Sequence, residues 1–172
     1  MSFSLYDATI PGYLQILGSM LGLIDKAQAY CDEKGMDPET LLKKRLADDM
    51  FGLSYQFKST VVHSIGSING VRNGEFSPDV NKPPTDFGAL TAQVKGAMEA
   101  LEALTAADVN GFIGKPMQFK TSHYVLDFTA ENFLLSFSVP NFYFHAVTAY
   151  DILRWQGLAI GKTDFVGAVR KA

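Results

Sequence analysis

The chain lacks the features that several functional classes require. Its one cysteine, Cys31, cannot form a disulfide within the chain, which favours a reducing compartment. Fifteen basic residues against 18 acidic ones give a net charge of -3, so no basic surface that could follow a nucleic-acid backbone is implied. The one basic cluster, Lys43 to Arg45, is typical of a solvated helix end. We therefore expect no nucleic-acid partner.

Export and membrane signals are also scarce. The first residues lack the basic start and the small-residue cleavage site of an export signal. Two uncharged stretches, Ala8 to Ile24 and Phe133 to Tyr150, each contain a proline and several polar residues, which favours buried helices over membrane spans. We expect a cytoplasmic protein with no membrane partner.

The hydrophobic pattern predicts an all-α chain that forms a single domain over residues 1–172. Hydrophobic residues make up 47% and charged residues 19%, which is a globular composition. Apolar residues recur at helical spacing in four long segments. These predicted helices run from Pro11 to Gly35, from Phe51 to about Asn69, from Asp86 to about Leu104, and from Pro140 to about Trp155.

The connections complete a four-helix bundle with one long crossover. A short helix is predicted from Asp37 to about Leu46. The segment from Gly70 to Asp86 is rich in Gly, Pro and Asn, so we expect an irregular crossover between the second and third long helices. Thr105 and Asp108 are expected to cap one further helical turn.

Before the last long helix the pattern changes to alternation. Residues Met117 to Phe128 alternate in the manner of strands, which predicts a small β-hairpin that turns near Thr121 to His123. Thr129 is then expected to cap a short helix that Pro140 interrupts. The tail after Gly157 is predicted to be irregular.

The second predicted helix carries an unusual face of small and polar residues around one imidazole. Its members are Gln56, Ser59, Thr60, His63, Gly66, Ser67 and Gly70. The opposite face is an ordinary core stripe of Leu53, Phe57, Val61, Ile65 and Ile68. An exposed helix face would normally hold Lys and Glu instead. Two interpretations are equally open: tight packing with His63 hydrogen-bonded across a helix contact, or a pocket beside His63.

The last helix supplies a second inward imidazole. Phe142, His145, Ala149, Ile152 and Trp155 share one face, because spacings of three and four stack on a helix. A lone histidine on an apolar face is more often a core residue than a ligand, but two facing histidines suggest a site between helices. The predicted pocket comprises Gln56, Ser59, Thr60, His63, Ser67, Phe142, His145, Ala149 and Ile152. His123 is interpreted as a surface turn residue rather than a third ligand.

The stretch from Pro140 to Gly167, PNFYFHAVTAYDILRWQGLAIGKTDFVG, strongly resembles an uncharacterised bacterial family of the DinB/YfiT-like metalloenzyme superfamily. The resemblance extends from the first helix onward. It implies a four-helix bundle with a long connection between the second and third helices, which agrees with the loop inferred from composition.

The resemblance also implies a metal site, commonly zinc or nickel, held by three histidines. His63 matches the first position and His145 the second, whereas the third falls on Ala149, which cannot bind a metal. Two histidines alone predict weak metal binding, because a catalytic zinc site usually has three protein ligands. His123 or a carboxylate could substitute, although no spacing shows it.

Three functions remain open from the sequence. The first is a metal-assisted or thiol-dependent transferase or hydrolase that acts on a small molecule. The second, which Ala149 slightly favours, is a small-molecule-binding protein with a degenerate or absent metal site. The third is a structural or partner-binding bundle. Relatives in the superfamily often pair through their helices, and 12% of the residues are aromatic, so we also expect a homodimer.

Overall fold

The computed structural model describes residues 4–171 as a mostly helical chain with a small three-stranded sheet. Residues 1–3 and 172 of the predicted domain lie outside this range. The α-helices are α1 (Leu5–Lys34), α2 (Pro38–Leu42), α3 (Leu53–Val61), α4 (Ser67–Asn73), α5 (Phe87–Glu102), α6 (Ala106–Asn110), α7 (Ala130–Asn132), α8 (Val139–Trp155) and α9 (Lys162–Val166). The strands are β1 (Glu75–Phe76), β2 (Pro116–Lys120) and β3 (Val125–Thr129).

Helix α1 begins earlier than the sequence pattern predicts. The side chain of Ser4 accepts a hydrogen bond from the Asp7 amide, and the Asp7 carboxylate accepts one from the Ser4 amide. This capping box starts the helix at Leu5, so the prediction of a start at Pro11 is wrong. Pro11 lies inside the helix, which accommodates the loss of one amide donor. The predicted end is confirmed, because Gly35 has φ 60° and caps the last turn.

Two short elements also differ from prediction. Helix α2 ends at Leu42 instead of about Leu46, because the chain then turns and the Lys44 carbonyl accepts a hydrogen bond from the Leu53 amide at 2.8 Å. The tail after Gly157 is not wholly irregular: α9 forms within it, and the Asp164 carboxylate caps its start by accepting from the Gly161 amide. The predicted cap of Thr105 and Asp108 is confirmed at the start of α6.

Two π-helical segments join neighbouring α-helices into longer continuous rods. Val62–Gly66 connects α3 to α4, so this rod reaches Asn73 and passes the predicted end at Asn69. Phe133–Ser138 connects α7 to α8, so the prediction that Pro140 interrupts the helix is wrong. A π turn shifts the hydrogen-bonding register, and Pro140 stands at the start of α8 directly after that shift, where a missing amide is tolerated.

The sheet contains the predicted hairpin and one strand that was not predicted. Strands β2 and β3 pair antiparallel, with Phe119 opposite Leu126. Strand β1 pairs parallel to β2, with Phe76 opposite Phe119. The expected crossover from Gly70 to Asp86 is therefore only partly irregular, since its first residues complete α4 and the next form β1. A two-residue strand is too short to leave an alternating pattern in the sequence.

The long helices pack around a shared apolar core. Helix α1 contacts α5 and α8, and α3 contacts the same two helices. Helix α9 packs on the outside of α1. The largest fully buried side chains include Tyr13, Leu17, Met20, Ile24, Phe57, Phe133 and Phe142. Within residues 4–171, none of the helices has the length and apolar character needed to cross a membrane.

Candidate functional site

The structure brings the two inward histidines together. His63 lies in the π-helical segment after α3, and His145 lies on α8, which packs against α3. Their ring centroids are 5.7 Å apart and their planes differ by 16°, so the imidazoles are nearly parallel. Both side chains are half-buried. The pair therefore lies at the contact between two helices that are far apart in sequence.

The orientation of His145 is set by Gln56. The Gln56 Nε2 atom donates to the Phe51 carbonyl at 2.9 Å, which leaves the amide oxygen of Gln56 to face the ring. This oxygen lies 2.7 Å from His145 Nδ1. Because an amide oxygen only accepts hydrogen bonds, Nδ1 must carry the proton. The neutral ring therefore presents an unprotonated Nε2 with a free lone pair.

His63 is held by hydroxyl groups at both its backbone and its ring. The His63 carbonyl accepts the hydroxyl of Ser138 at 3.0 Å and lies 3.2 Å from the hydroxyl of Ser67, whose shorter hydrogen bond is to the Ser64 carbonyl at 2.7 Å. The Ser138 hydroxyl also lies 3.5 Å from His63 Nδ1. At this distance the contact with the ring is weak. A ring that carries its proton on Nδ1 would donate to the hydroxyl oxygen and leave Nε2 as an acceptor.

Burial keeps both imidazoles uncharged at neutral pH. Burial, together with a smaller effect of the neighbouring His145, lowers the pKa of His63 from its ordinary value of 6.5 to about 4. Burial likewise lowers the pKa of His145 to about 4. Two neutral rings with unprotonated Nε2 atoms can accept hydrogen bonds or bind a metal ion, but they cannot supply a proton at pH 7.

A third side chain, Tyr13, reaches the same region from α1. Its ring packs edge-on against Phe142 with centroids 4.8 Å apart. Its hydroxyl is buried near those of Ser67 and Ser138, and among residues 4–171 no donor is directed at it, since both serine hydroxyls donate to backbone carbonyls. Burial raises the pKa of Tyr13 well above its ordinary value. Tyr13 is therefore a neutral hydroxyl in the layer directly behind His63.

A small cavity of about 90 Å³ opens beside His63, large enough for several water molecules or one small ring. It is lined by Tyr55, Lys58, Ser59, Val62, His63, Phe76, Pro78, Asp79, Phe119, Phe137 and Asn141. Only Ser59 and His63 of the predicted pocket residues belong to this lining. The sheet, which carries Phe76 and Phe119, forms the wall that the sequence did not indicate.

The other predicted pocket residues are used for packing and positioning. Gln56 orients His145. Thr60 and Ser67 are buried, and their hydroxyls donate to carbonyls within their own helical rod. Phe142, Ala149 and Ile152 are fully buried in the core, so they do not line the cavity. Trp155, placed by helical spacing on the same face, is 63% exposed because it stands at the end of α8.

The side chains around the histidine pair do not fit a three-ligand metal site. Ala149 is fully buried and offers no donor atom, and His123 is exposed on the turn between β2 and β3. Over residues 4–171, no three His, Cys, Asp or Glu side chains are grouped so that they could hold a metal ion. His63 and His145 alone supply two nitrogen donors, one fewer than the usual catalytic zinc or nickel arrangement needs.

Several site residues were absent from the predicted set. Ser138 was missed because it precedes Pro140, where the sequence suggested a helix break. Lys58 and Asn141 were missed because each is polar at a position where a solvated side chain is the usual interpretation. In the structure the Lys58 side chain is only 7% exposed and lies 3.0 Å from Asp79. No pattern in the sequence indicates that this lysine is buried.

Comparison with known proteins places the chain in a recognised family. Residues 5–166 match the model of a domain of unknown function, DUF1993. The fold is similar to the crystal structure of a DinB family member protein from Shewanella denitrificans, with a TM-score of 0.80 and 29% sequence identity. The match covers 98% of this chain and 95% of that protein. No curated protein shows significant similarity to the sequence.

Proposed function

The chain belongs to the DUF1993 family, and we propose that it binds a small organic molecule beside His63 without the need for a tightly held metal ion. One observation carries this proposal: the uncharged imidazole of His63, which stacks on that of His145, lines a small cavity together with four other aromatic side chains. A site of this kind recognises a ligand by one or two placed polar contacts within an apolar enclosure.

The geometry selects a ligand that donates a hydrogen bond. With its proton on Nδ1, the nitrogen that faces the Ser138 hydroxyl, His63 offers Nε2 as an acceptor. Three phenylalanine rings, those of Phe76, Phe119 and Phe137, form the apolar part of the lining. A small aromatic ring with an O–H or N–H group satisfies both requirements. The volume of about 90 Å³ limits this part of the ligand to a single ring.

Phenol is a suitable test molecule, because it has one aromatic ring and one hydroxyl donor. We expect phenol to bind with a Kd of about 1 mM or below, equivalent to about 4 kcal/mol, and to shift the ring nitrogen signals of His63 in NMR spectra. Toluene has nearly the same shape and no donor, so it should bind at least about tenfold more weakly. The His123→Gln variant is the matched control, because His123 is exposed on the turn.

Two results would overturn the proposal. Equal binding of phenol and toluene would show that the imidazole does not select the ligand. Unchanged His63 signals in the presence of saturating phenol would show that this cavity is not the binding site.

The proposal includes a weak metal site, which can be tested by restoring the missing ligand. Calorimetric titration of the parent chain with Zn²⁺ or Ni²⁺ should show weak binding, because two imidazoles leave the coordination incomplete. The Ala149→His variant places a third imidazole one helical turn from His145 and should bind at least about tenfold more tightly. Ala149 is fully buried, so this variant should also lose stability through overpacking.

An active metal- or thiol-dependent transferase or hydrolase is the second candidate. It is favoured by the groups that face Nδ1 of each ring, Gln56 at 2.7 Å from His145 and Ser138 at 3.5 Å from His63, because metal-bound histidines commonly have such outer partners. Metal analysis of protein purified without an affinity tag decides between the two. One zinc or nickel ion per chain at high affinity would support the enzyme and overturn the metal-free proposal.

We further infer that α1, the α3–α4 rod, α5 and the α7–α8 rod form a DinB-like four-helix bundle, with residues 74–86 as its crossover. The contacts of α1 and α3 with both α5 and α8 support this arrangement.

We also propose that the chain forms a cytoplasmic homodimer. Phe144, Val147 and Trp155 are exposed apolar residues on α8 and could contact a second copy. Sedimentation that shows only monomer at high protein concentration would contradict the dimer.

A further inference from the structure

A second and larger concavity lies outside the histidine site. It is a groove of about 700 Å³ between the α2–α3 connection and the segment 78–85, within the volume range of sites that bury a drug-sized ligand. We call it the crossover groove. Its lining comprises Glu39, Leu42, Lys43, Arg45, Phe51, Gly52, Ser54, Tyr55 and residues 78–85.

One wall of the crossover groove is fastened to α3 by buried polar contacts. The Lys58 side chain is 7% exposed, and its ammonium lies 3.0 Å from the Asp79 carboxylate and donates to the Asn81 carbonyl. The Ser54 hydroxyl donates to the Pro84 carbonyl. Burial of a lysine is costly unless its charge is paired and hydrogen-bonded, and both conditions are met here. The groove is therefore a built feature and not the gap beneath a loose loop.

The apolar side chains of the groove are more exposed than folding alone would leave them. Phe51 is 64% exposed and stacks on Tyr55 with ring centroids 4.0 Å apart. Val80, on the opposite wall, is 91% exposed. Pro78, Pro83 and Pro84 add further apolar surface. Exposed apolar side chains that line a concave surface are typical of ligand-binding grooves.

The charges of the groove are unbalanced in favour of cations. Glu39 pairs with Lys43 at 3.0 Å, and Asp79 pairs with Lys58. Arg45 donates to the Asp48 backbone carbonyl. Over the described residues 4–171, neither Arg45 nor Lys82 forms a salt bridge with a carboxylate. Two unpaired cations at the edge of an apolar groove complement a ligand with an anionic end.

We propose that the crossover groove binds an amphipathic monocarboxylate, with its apolar body along Phe51 and the prolines and its carboxylate at Arg45 and Lys82. The aromatic pair supplies a flat surface that needs no rearrangement, and the guanidinium can hold a carboxylate with two parallel hydrogen bonds. This site goes beyond the one beside His63. The two cavities share Tyr55, Pro78 and Asp79 in their walls, but the groove contains neither histidine.

Displacement of a fluorescent anion tests the proposal on the full chain. The dye 1-anilinonaphthalene-8-sulfonate has an aromatic body and one negative charge, so it should bind in the groove. Decanoate, kept below its micelle concentration, should displace the dye at least about tenfold more effectively than 1-decanol, which has the same chain without the charge. The advantage of decanoate should shrink as salt is added, because exposed charge pairs are screened.

Three variants locate the binding. Arg45→Gln and Lys82→Gln should each weaken decanoate binding about three- to tenfold and leave decanol binding unchanged. Phe51→Ser should weaken both molecules, and its exposed position should leave the fold intact. Lys95→Gln removes a charge from an exposed position of α5 that does not line the groove, so it is the matched control.

Each outcome supports or overturns the proposal that the crossover groove binds a monocarboxylate. Equal displacement by decanoate and decanol would overturn the anionic part of the proposal. Unchanged affinities in all three groove variants would overturn the location. The phenol experiment at His63 is run on the same samples, so a failure of phenol beside intact decanoate binding would count against the proposed function alone.

Discussion

The contact between α1 and α5 differs in chemistry from the contact between α3 and α8. The first joins apolar side chains such as Leu17, Met20, Leu90 and Val94, all fully buried. The second contains Gln56, Ser59, Thr60, His63 and Ser67 on one rod, and Ser138 and His145 on the other. The α1–α5 contact lies between regular α-helices, whereas both rods of the second contact contain a π turn.

This difference separates stability from site geometry. An apolar contact gains free energy in proportion to its buried area and needs no exact orientation. A polar contact gains little net free energy, but each buried donor and acceptor must find its partner, which fixes the position of the side chains. The α3–α8 contact therefore fixes the orientation of the two imidazoles. The α1–α5 contact provides stability that offsets the cost of burying the polar groups.

The largest effect on stability should come from the α1–α5 contact, the apolar side of the core. Leu90 is fully buried on α5, so Leu90→Ala should lower the free energy of unfolding by about 3 kcal/mol through lost burial and the remaining cavity. Ser59→Ala on the polar side should change it by less than about 1 kcal/mol. Urea unfolding of both variants measures the contrast. A larger loss in Ser59→Ala than in Leu90→Ala would refute the division of roles.

Acidification should weaken the polar side selectively. The pKa of both histidines is about 4 in the folded chain and about 6.5 when unfolded, so the unfolded chain binds more protons between these values. Stability should therefore be full above pH 6.5, fall as the pH approaches 4, and then level off with respect to these groups. The two lowered pKa values correspond to at most about 7 kcal/mol, which the partial solvent exposure of both rings reduces to about 2 kcal/mol. Unfolding at a series of pH values measures this slope.

The pH experiment is tested with a double variant and has a matched control in the exposed His123. A double variant His63→Leu, His145→Leu should flatten the slope between pH 6.5 and 4, whatever its stability at pH 7. His123→Gln should keep the parent slope, because this side chain is exposed. A parent slope in the double variant would show that other groups cause the acid sensitivity.

A smaller effect is expected from the hydroxyl that joins the two rods. Ser138→Ala removes the hydrogen bond to the His63 carbonyl and should cost about 1 kcal/mol. Ser136→Ala is a matched comparison two residues away, since Ser136 also donates to a backbone carbonyl but is exposed, and it should cost less than about 0.5 kcal/mol. Thermal unfolding of both variants gives the two values, and equal losses would show that Ser138 has no special role between the rods.

The smallest effect should be on the outer surface of α1. Lys26 forms an ion pair with Asp164 of α9 at 2.6 Å, and the two side chains are 48% and 27% exposed. Because exposed pairs gain little, Lys26→Ala should change the unfolding free energy by no more than about 0.5 kcal/mol. A loss above 1 kcal/mol in urea unfolding would show that α9 stabilises the apolar side by more than its position suggests.

The apolar side was the more predictable of the two. The stripe of Phe87, Leu90, Val94, Met98 and Leu101 on α5 follows a regular 3.6-residue period, and all except the half-buried Met98 are buried. The period fails on the other side because a π turn adds one residue, which rotates the helix faces on its two ends by about 100° relative to each other. Of the five residues assigned to the core stripe, Leu53, Phe57 and Ile68 are buried, whereas Val61 at the end of α3 and Ile65 within the π turn are only half-buried.

The candidate site was predictable in its centre and not in its walls. His63 and His145 were found because each is the single imidazole on an inward face. Phe76 and Phe119 were not found, because they reach the cavity through a sheet pairing that no local pattern encodes. Strand β1 within the predicted crossover was missed for the same reason, because its partner β2 lies far along the chain.

The parallel pairing of β1 with β2 also bears on the order in which the molecule assembles. These strands are about 40 residues apart in sequence, whereas β2 and β3 are joined by a tight turn. Closing the longer loop costs more chain entropy, so the hairpin and the helices can form before β1 docks. The aromatic wall beside His63 is then among the last parts to form, and a two-residue pairing is among the first that native fluctuations can open. Such openings would give the proposed ligand a route of entry while the helical rods stay in place.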